Sequence, residues 1–381
     1  MKKILLVDTN YAAAPIHDYL EKTGNLVFVC GGNPDDFLAK TAKNYINLDY
    51  SDTNALLSLT RELDIDYVVP GCNDRSYQAC AEVNAQKPYY GIDSVSTTQA
   101  INNKKKFREL SEEIGIPVPQ VFEKVGQIQS WPVIVKPVDA YSGRGISIVN
   151  SEKEIPEAKL LAERFSHTKQ YIAEEFITGQ LYSHSAFIKK QKITTDFIVM
   201  EHGSANPFVV DTSHVVQNPS SDLILSMRSH IETLAMKLKM VDGLVHTQFI
   251  LSKDEIKFIE VTRRCPGDLY SQLIELSTGF PYAEEYAKHF INLKRHSPTA
   301  TEKKSHILRH TVSQPQDGLF QSIAFNTPLK IEKLIPLCSA GTHIKASPFG
   351  RIALLFIEAE SKDELTTLSK SLLERKLYRI H

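Results

Sequence analysis

The stretch VIVKPVDAYSGRGISIV, Val133–Val149, decides how this chain is read. An apolar, β-branched run delivers Lys136, a small-residue loop follows with Ser142, Gly143 and Gly145, and a second apolar run begins. The pattern predicts strands near 132–137 and 145–149. A lysine at a strand end facing a Gly/Ser turn is suited to a polyphosphate. The ammonium neutralises phosphate oxygens, and backbone N–H groups approach the anion closely where glycine removes the side chain. Taken alone, the loop fits equally well a tight β-hairpin with Lys136 and Arg144 in solvent, because short motifs recur by chance.

At 381 residues the chain is too long for one compact core, so two or three domains are expected. Its hydrophobic fraction of 42% and charged fraction of 23% are those of an ordinary globular protein. A net charge of −1 offers no basic field for nucleic acid. No apolar run approaches membrane-spanning length, and the opening MKKILLVDTN turns polar at Asp8, which reads as a first strand and not as a leader. Five scattered cysteines (Cys30, Cys72, Cys80, Cys265, Cys338) show no metal-type spacing, which predicts a reduced, cytoplasmic chain without disulfides or a zinc site.

Along the chain, KKILLVD, LVFVCGG and DYVVPGC read as parallel strands separated by helices near 13–22, 34–42 and 53–63. This is a small doubly wound α/β domain, and its first loop lacks the GxGxxG of dinucleotide binding. NNKKKFRELSEEIG predicts a capped helix ending at Gly115. The expected division is 1–101 for the α/β domain, 102–117 for a linker helix, 118–181 for a compact α+β lobe, 182–300 for a larger lobe and 301–381 for a C-terminal lobe. Further helices are expected near 152–166, 220–240, 268–278, 281–293 and 362–374, with a strand near 171–177.

Four features come in a fixed order: Lys104 in NNKKKFR, Lys136 with its glycine loop, YIAEEFITG at Tyr171–Gly179, and the pair LVHTQFIL and EIKFIEVTRRCPGD. In this order they resemble the ATP-grasp superfamily, carboxylate–amine ligase type, over roughly residues 100 to 290. The resemblance implies an α/β and α+β multidomain fold, in which a Rossmann-like pre-ATP-grasp domain precedes an ATP-grasp fold of lid lobe and larger lobe. It implies that Lys104 and Lys136 contact the α- and β-phosphates of ATP and that Ser142, Gly143 and Gly145 fold over the β/γ-phosphates. It also implies that Glu174, Glu175, Phe176 and Ile177 form the adenine-binding hinge, with Glu174 or Glu175 on the adenine amine and the backbone of Glu175 and Ile177 completing it. Many relatives carry a ribose-contacting glutamate where this chain has Leu181; Gln180 is a candidate replacement.

LVHTQFIL and EIKFIEV are apolar runs joined by a short polar connection, which predicts a hairpin. With Lys253-Asp254-Glu255 as its loop, Gln248 faces Glu260 and His246 faces Thr262, and all four share one side of the sheet. Such oxygen ligands suit Mg²⁺ (or Mn²⁺). The family's metal ligands map onto Gln248, Glu260 and Thr262, the last standing where relatives usually have asparagine. Arg264 completes the family's ExxxR spacing and is expected to bind the substrate carboxylate or the transferred phosphoryl group. Arg263 is the competing choice, and strand alternation points the two apart. Asp268 is expected to cap the helix that follows. Asp74, Arg75, His214, Arg309 and His310 are lesser candidates for a substrate pocket.

The function implied is ATP-dependent ligation: a small acid, an amino acid being one candidate, is activated as an acyl phosphate and captured by an amine. A bicarbonate-using carboxylase of the same superfamily and a non-catalytic ATP-binding protein are the alternatives. The partners expected are small-molecule carboxylate and amine substrates, with no nucleic acid and no membrane; a homodimer is left open.

Overall fold

In the computed structural model, which describes residues 1–140, 143–204, 209–293 and 305–381, the first element is a parallel sheet. Its strands are β1 (Lys3–Val7), β2 (Leu26–Gly31), β3 (Tyr45–Asn47) and β4 (Tyr67–Pro70), in the order β3-β2-β1-β4. The runs ILLV and YVVP are apolar throughout because helices cover both faces, and Ile4 to Val7 are fully buried. Within residues 1–102 three elements went unforeseen: β3 and the helices Asp74–Gln86 and Val95–Asn102. β3 is only three residues long. The helix Asp74–Gln86 buries mainly small side chains (Ala79, Cys80, Ala81), so its hydrophobic periodicity is faint.

The linker helix runs Lys104–Ile114. Asn103 caps it by accepting the Lys106 N–H, and Gly115 closes it in the left-handed region at φ +72°. A small lobe follows, with β5 (Val133–Pro137), β6 (Ser147–Val149) and β7 (Tyr171–Glu175) in the antiparallel order β6-β5-β7. The helix Ile155–Phe165 packs its Ala158 and Ala162 on Val133, Val135 and Val149. Gly145 has φ +72°, and a Cβ there would lie 2.9 Å from both Phe165 Cβ and Pro137 Cγ, so the loop closes onto the sheet only with glycine.

An eight-stranded sheet forms the rest of the scaffold. Its strands are β8 (Gln180–Lys189), β9 (Lys192–His202), β10 (Thr212–Val215), β11 (Gly243–Ser252), β12 (Glu255–Thr262), β13 (His306–Val312), Ala353–Ala359 and Ile331–Pro336. They lie in the order β12-β11-β8-β9-β10-β13, then Ala353–Ala359 and Ile331–Pro336 at the far edge. Because β10 pairs with β13, the sheet runs on past residue 300, where the sequence suggested a lobe boundary. Among the described residues no helix is long and apolar enough to cross a membrane.

Arg263 fixes the front sheet to this scaffold. Its Nε donates to Asp93 at 2.6 Å, and both side chains are almost wholly buried. Asp93 also accepts from Tyr77 Oη at 2.8 Å and Val241 N at 2.9 Å, while Arg263 donates to the carbonyls of Val241 and Asp242. Removing one partner leaves the other charge buried and uncompensated. Asp93→Ala is therefore expected to lower stability by about 3–5 kcal/mol, and the double replacement Asp93→Leu/Arg263→Leu by less. Chemical denaturation of the three proteins checks the order.

Candidate functional site

The hairpin β11–β12 places Gln248 opposite Glu260 and His246 opposite Thr262, the pairing read from the sequence. The route to it differs. The turn is Lys253-Asp254 alone, with both residues at positive φ (47° and 70°), and Ser252 pairs with Glu255. That register would put Glu260 on the wrong face. A bulge at Ile259, between the pairs Phe249–Phe258 and Gln248–Glu260, inserts one residue and restores it. The Ile259 carbonyl accepts from Arg108 at 2.9 Å.

Among the described residues the half-buried Glu260 carboxylate makes no hydrogen bond or ion pair. It lines a narrow cleft with Asp74, Asn102, Lys104, Phe107 and Thr262. Across the hairpin, Gln248 donates its Nε2 to Glu201 Oε2 at 2.9 Å, leaving its carbonyl oxygen on the other branch of the amide. Burial pushes the Glu201 carboxyl up to about 7 despite hydrogen bonds from Ser183 and Gln248. An unpartnered carboxylate beside an amide oxygen fits a hard divalent cation. No three His, Cys, Asp or Glu side chains gather as a metal cluster among the described residues, so water and phosphate oxygens would complete the shell.

Thr262 departs from expectation. Its hydroxyl donates to Asp74 Oδ1 at 2.7 Å, so the structure gives it a role in holding Asp74. Asp74 sits at the first turn of the helix Asp74–Gln86, which Asn73 caps, and it receives Arg264 through Nε at 3.1 Å and one terminal nitrogen at 3.0 Å. The other terminal nitrogen of Arg264 has no partner among the described residues. Burial would raise the Asp74 carboxyl, but Arg264 and Thr262 hold it below its ordinary value. The two arginines do point apart, Arg263 into the anchor with Asp93 and Arg264 towards the cleft.

The two lysines converge on the same region. Lys104 opens the linker helix and donates its Nζ to the Ala140 carbonyl at 2.8 Å. Lys136 Nζ lies 2.6 Å from Glu174 Oε2 and is buried, and Arg108 Nε lies 2.8 Å from Glu174 Oε1. Burial, opposed by Glu174 and aided by Arg108 and Lys104, brings the Lys136 ammonium down to about 8.

Of the two glutamates, either of which was the expected adenine contact, Glu174 has no solvent exposure and both its oxygens are bound to cations. The Glu175 N–H is likewise committed, to the Gln120 carbonyl at 2.9 Å, because residues 120–122 cover the free edge of β7. The Glu175 side chain, whose Oε2 accepts the Gln120 N–H at 3.3 Å, and Phe176 and Ile177 are partly exposed at the end of β7. In the glycine loop after β5, Gly143 has φ +70°, and Ser142 falls outside the described residues.

Asp268 is not a cap either. The helix begins at Tyr270 after two left-handed residues, Asp268 and Leu269, and the Asp268 carboxylate meets Arg351 at 2.6 Å, Arg309 at 3.3 Å and Tyr11 Oη at 2.8 Å. Alternation sends His214 and His310 to the other face of the sheet from Arg309, where His310 meets Tyr378 Oη at 3.2 Å. The sequence reading missed Arg108, Glu201, Tyr11 and Arg351. Of these, Arg108 left a signal, since it lies one helical turn beyond Lys104 on the same face.

Comparison with known proteins bears on the domain family and the fold. Residues 129–272 match the ATP-grasp domain family. The phosphoribosylamine–glycine ligase of Methanosphaera stadtmanae is 23% identical over 294 residues, covering 69% of this chain and 67% of that protein. The D-alanine–D-alanine ligase of Fusobacterium nucleatum is 27% identical over 222 residues, 56% of this chain and 74% of that protein. The L-amino acid ligase structure from Bacillus licheniformis superposes on the whole chain and 98% of its own length, with a TM-score of 0.82 at 18% identity. The phosphoribosylglycinamide synthetase structure from Anaerococcus prevotii gives 0.77 at 17% identity, covering 100% of this chain and 99% of its own. These two structures establish the fold: a parallel front sheet followed by the small lobe and the large antiparallel sheet. Residues 129–272 of the chain form an ATP-grasp domain.

Proposed function

We propose that this ATP-dependent ligase joins a small carboxylic acid to an amine through an acyl phosphate, with the cleft between Lys104 and Glu260 as its phosphoryl-transfer site. The observation that carries the reading is Glu260, a half-buried carboxylate without a partner among the described residues. It lies opposite Gln248 and lines one cleft with Lys104. The sequence relatives named above support it, since their names pair an amine or amino acid with an amino acid.

In the proposed reaction a substrate carboxylate oxygen attacks the γ-phosphorus, the bond from that phosphorus to the β–γ bridging oxygen breaks, and ADP leaves. The amine nitrogen then attacks the acyl carbon, inorganic phosphate departs and one amine proton is lost, giving the amide. Lys104 and Lys136 neutralise the α- and β-phosphates, and the glycine loop around Gly143 and Gly145 covers the γ-phosphate. Glu175, Phe176 and Ile177 hold the adenine. The unengaged nitrogen of Arg264 takes the substrate carboxylate or the phosphoryl oxygens, its plane fixed by Asp74. Gln248 and Glu260 would hold Mg²⁺ or Mn²⁺, which when bound screens the terminal phosphates. The protein's part is positioning and charge neutralisation, which is how phosphoryl transfer is generally catalysed. Five free cysteines suit a reducing, cytoplasmic setting. We also keep the division of the chain at 101, 117, 181 and 300, the last as a boundary that the large sheet crosses, and a homodimer is to be checked by sedimentation.

ADP release measured across pools of amino acids and other small acids, with and without amines and bicarbonate, tests the reading. Turnover that needs an acid and an amine supports it; stimulation by bicarbonate, or tight ATP binding with no release under any pool, overturns it. Glu260→Ala is expected to reduce ADP release at least about a hundredfold, the scale of losing a group that stabilises charge in the transition state, with an unchanged melting temperature. An active variant would mean that the hairpin is misassigned.

The Lys136 ammonium gives a pH dependence. Below pH 8 it is charged before nucleotide arrives, and above pH 8 the empty site holds neutral lysine that must take up a proton on binding. ADP affinity should therefore fall about tenfold per pH unit above 8, with calorimetric proton uptake near one per site. Lys136→Met should bind weakly at every pH and show neither effect.

A further inference from the structure

Glu201 is a buried carboxylate at the site that the reaction as written does not use. It is 5% exposed, lies in β9 and pairs directly with Leu181 of β8, two residues before Ser183. Ser183 in turn pairs with Gln248, so Glu201, Ser183 and Gln248 share the face that carries Glu260. Its Oε2 accepts the Gln248 Nε2–H at 2.9 Å. Arg309, whose register partner Ser213 is also the partner of Glu201, lies on that face as well.

We propose that Glu201 is a positioning residue of the cation site, orienting the Gln248 carbonyl and supplying the second negative charge that a neutral ligand omits. The inference rests on reading Gln248 and Glu260 as cation ligands. A glutamine amide has two unlike ends, and only its oxygen can bind a hard cation. In its ionised form, which a neighbouring cation favours, the Glu201 carboxylate is an acceptor only, so the amide turns its NH₂ towards Glu201, as observed, and the oxygen is left for the ion. Without that acceptor the amide can rotate and present nitrogen instead. The charge argument points the same way. Glu260 is the one carboxylate of the hairpin pair, and Glu201 places a second within one hydrogen bond of the other ligand. Partners of this kind, one bond behind a metal ligand, fix its orientation and tune its affinity.

The test uses the full chain and Mn²⁺ as probe, with free Mn²⁺ measured by electron paramagnetic resonance in the presence of a non-hydrolysable ATP analogue. Glu201→Leu is expected to weaken Mn²⁺ binding about tenfold or more, the usual scale for losing such a partner, while analogue binding without metal is unchanged. The charge swap Glu201→Gln/Gln248→Glu exchanges carboxylate and amide between the strands and should return Mn²⁺ affinity to the wild-type range. A purely structural role would not be rescued by that swap. Wild-type Mn²⁺ affinity in Glu201→Leu, or a swap no better than wild type lacking Glu201, overturns the inference. Should Glu201→Leu fail to fold, the swap alone carries the test. Glu260→Gln separates the two claims: if it too binds Mn²⁺ normally, the cation reading of the hairpin fails. If it loses Mn²⁺ while Glu201→Leu does not, only the role of Glu201 fails.

Discussion

Glu174 carries a carboxylate to a position with no solvent exposure, where it survives only because Arg108 and Lys136 bracket it. Burial alone would raise its carboxyl; the two cations hold it below its ordinary value instead. The three charges come from the linker helix, β5 and β7, so none is satisfied until those segments meet. Arg108 extends the constraint by donating to the carbonyl of Ile259 in the β12 bulge. One buried charge cluster thereby relates the small lobe, the linker and the hairpin that carries Glu260. Breaking such a cluster at one member leaves an uncompensated charge in a low-dielectric interior, at a cost of several kcal/mol.

The front sheet is tied in by the same device, used twice on adjacent residues. Arg263 turns one way into Asp93 and Arg264 the other way into Asp74. Both residues lie just past the end of β12, where the chain bends, and the two adjacent side chains leave it in different directions. One arginine anchors the front domain to the large sheet, and the other holds Asp74, from a front-domain helix, at the edge of the cleft. The front domain thus contributes an atom group to the cleft as well as a surface beside it.

The hairpin shows how a reading of sequence can reach the right pairing by a wrong path. A three-residue loop was assumed, whereas the loop has two residues, and the bulge at Ile259 makes up the difference. The apolar alternation of LVHTQFIL and EIKFIEV constrained which face each side chain must take, and that constraint survives either path. No comparable constraint existed for Glu174 or Thr262, whose partners lie on segments distant in sequence. Glu201 was likewise invisible, because its relation to Gln248 depends on β8 lying between β9 and β11.

The sequence by itself determined the local chemistry of this protein: apolar runs as strands, caps on the linker helix, glycine at the closing loop, and the order of motifs that marks the superfamily. These follow from short-range sterics, periodicity and residue type, which each segment carries with it. Only the tertiary structure decided which charges are used up in holding the molecule together and which are left for a ligand. Glu174, Thr262 and Arg263 are committed to partners, while Glu260 and one nitrogen of Arg264 have none among the described residues. That difference is set by long-range pairing in a buried environment, where every charge must find a partner, and no stretch of the chain encodes it alone.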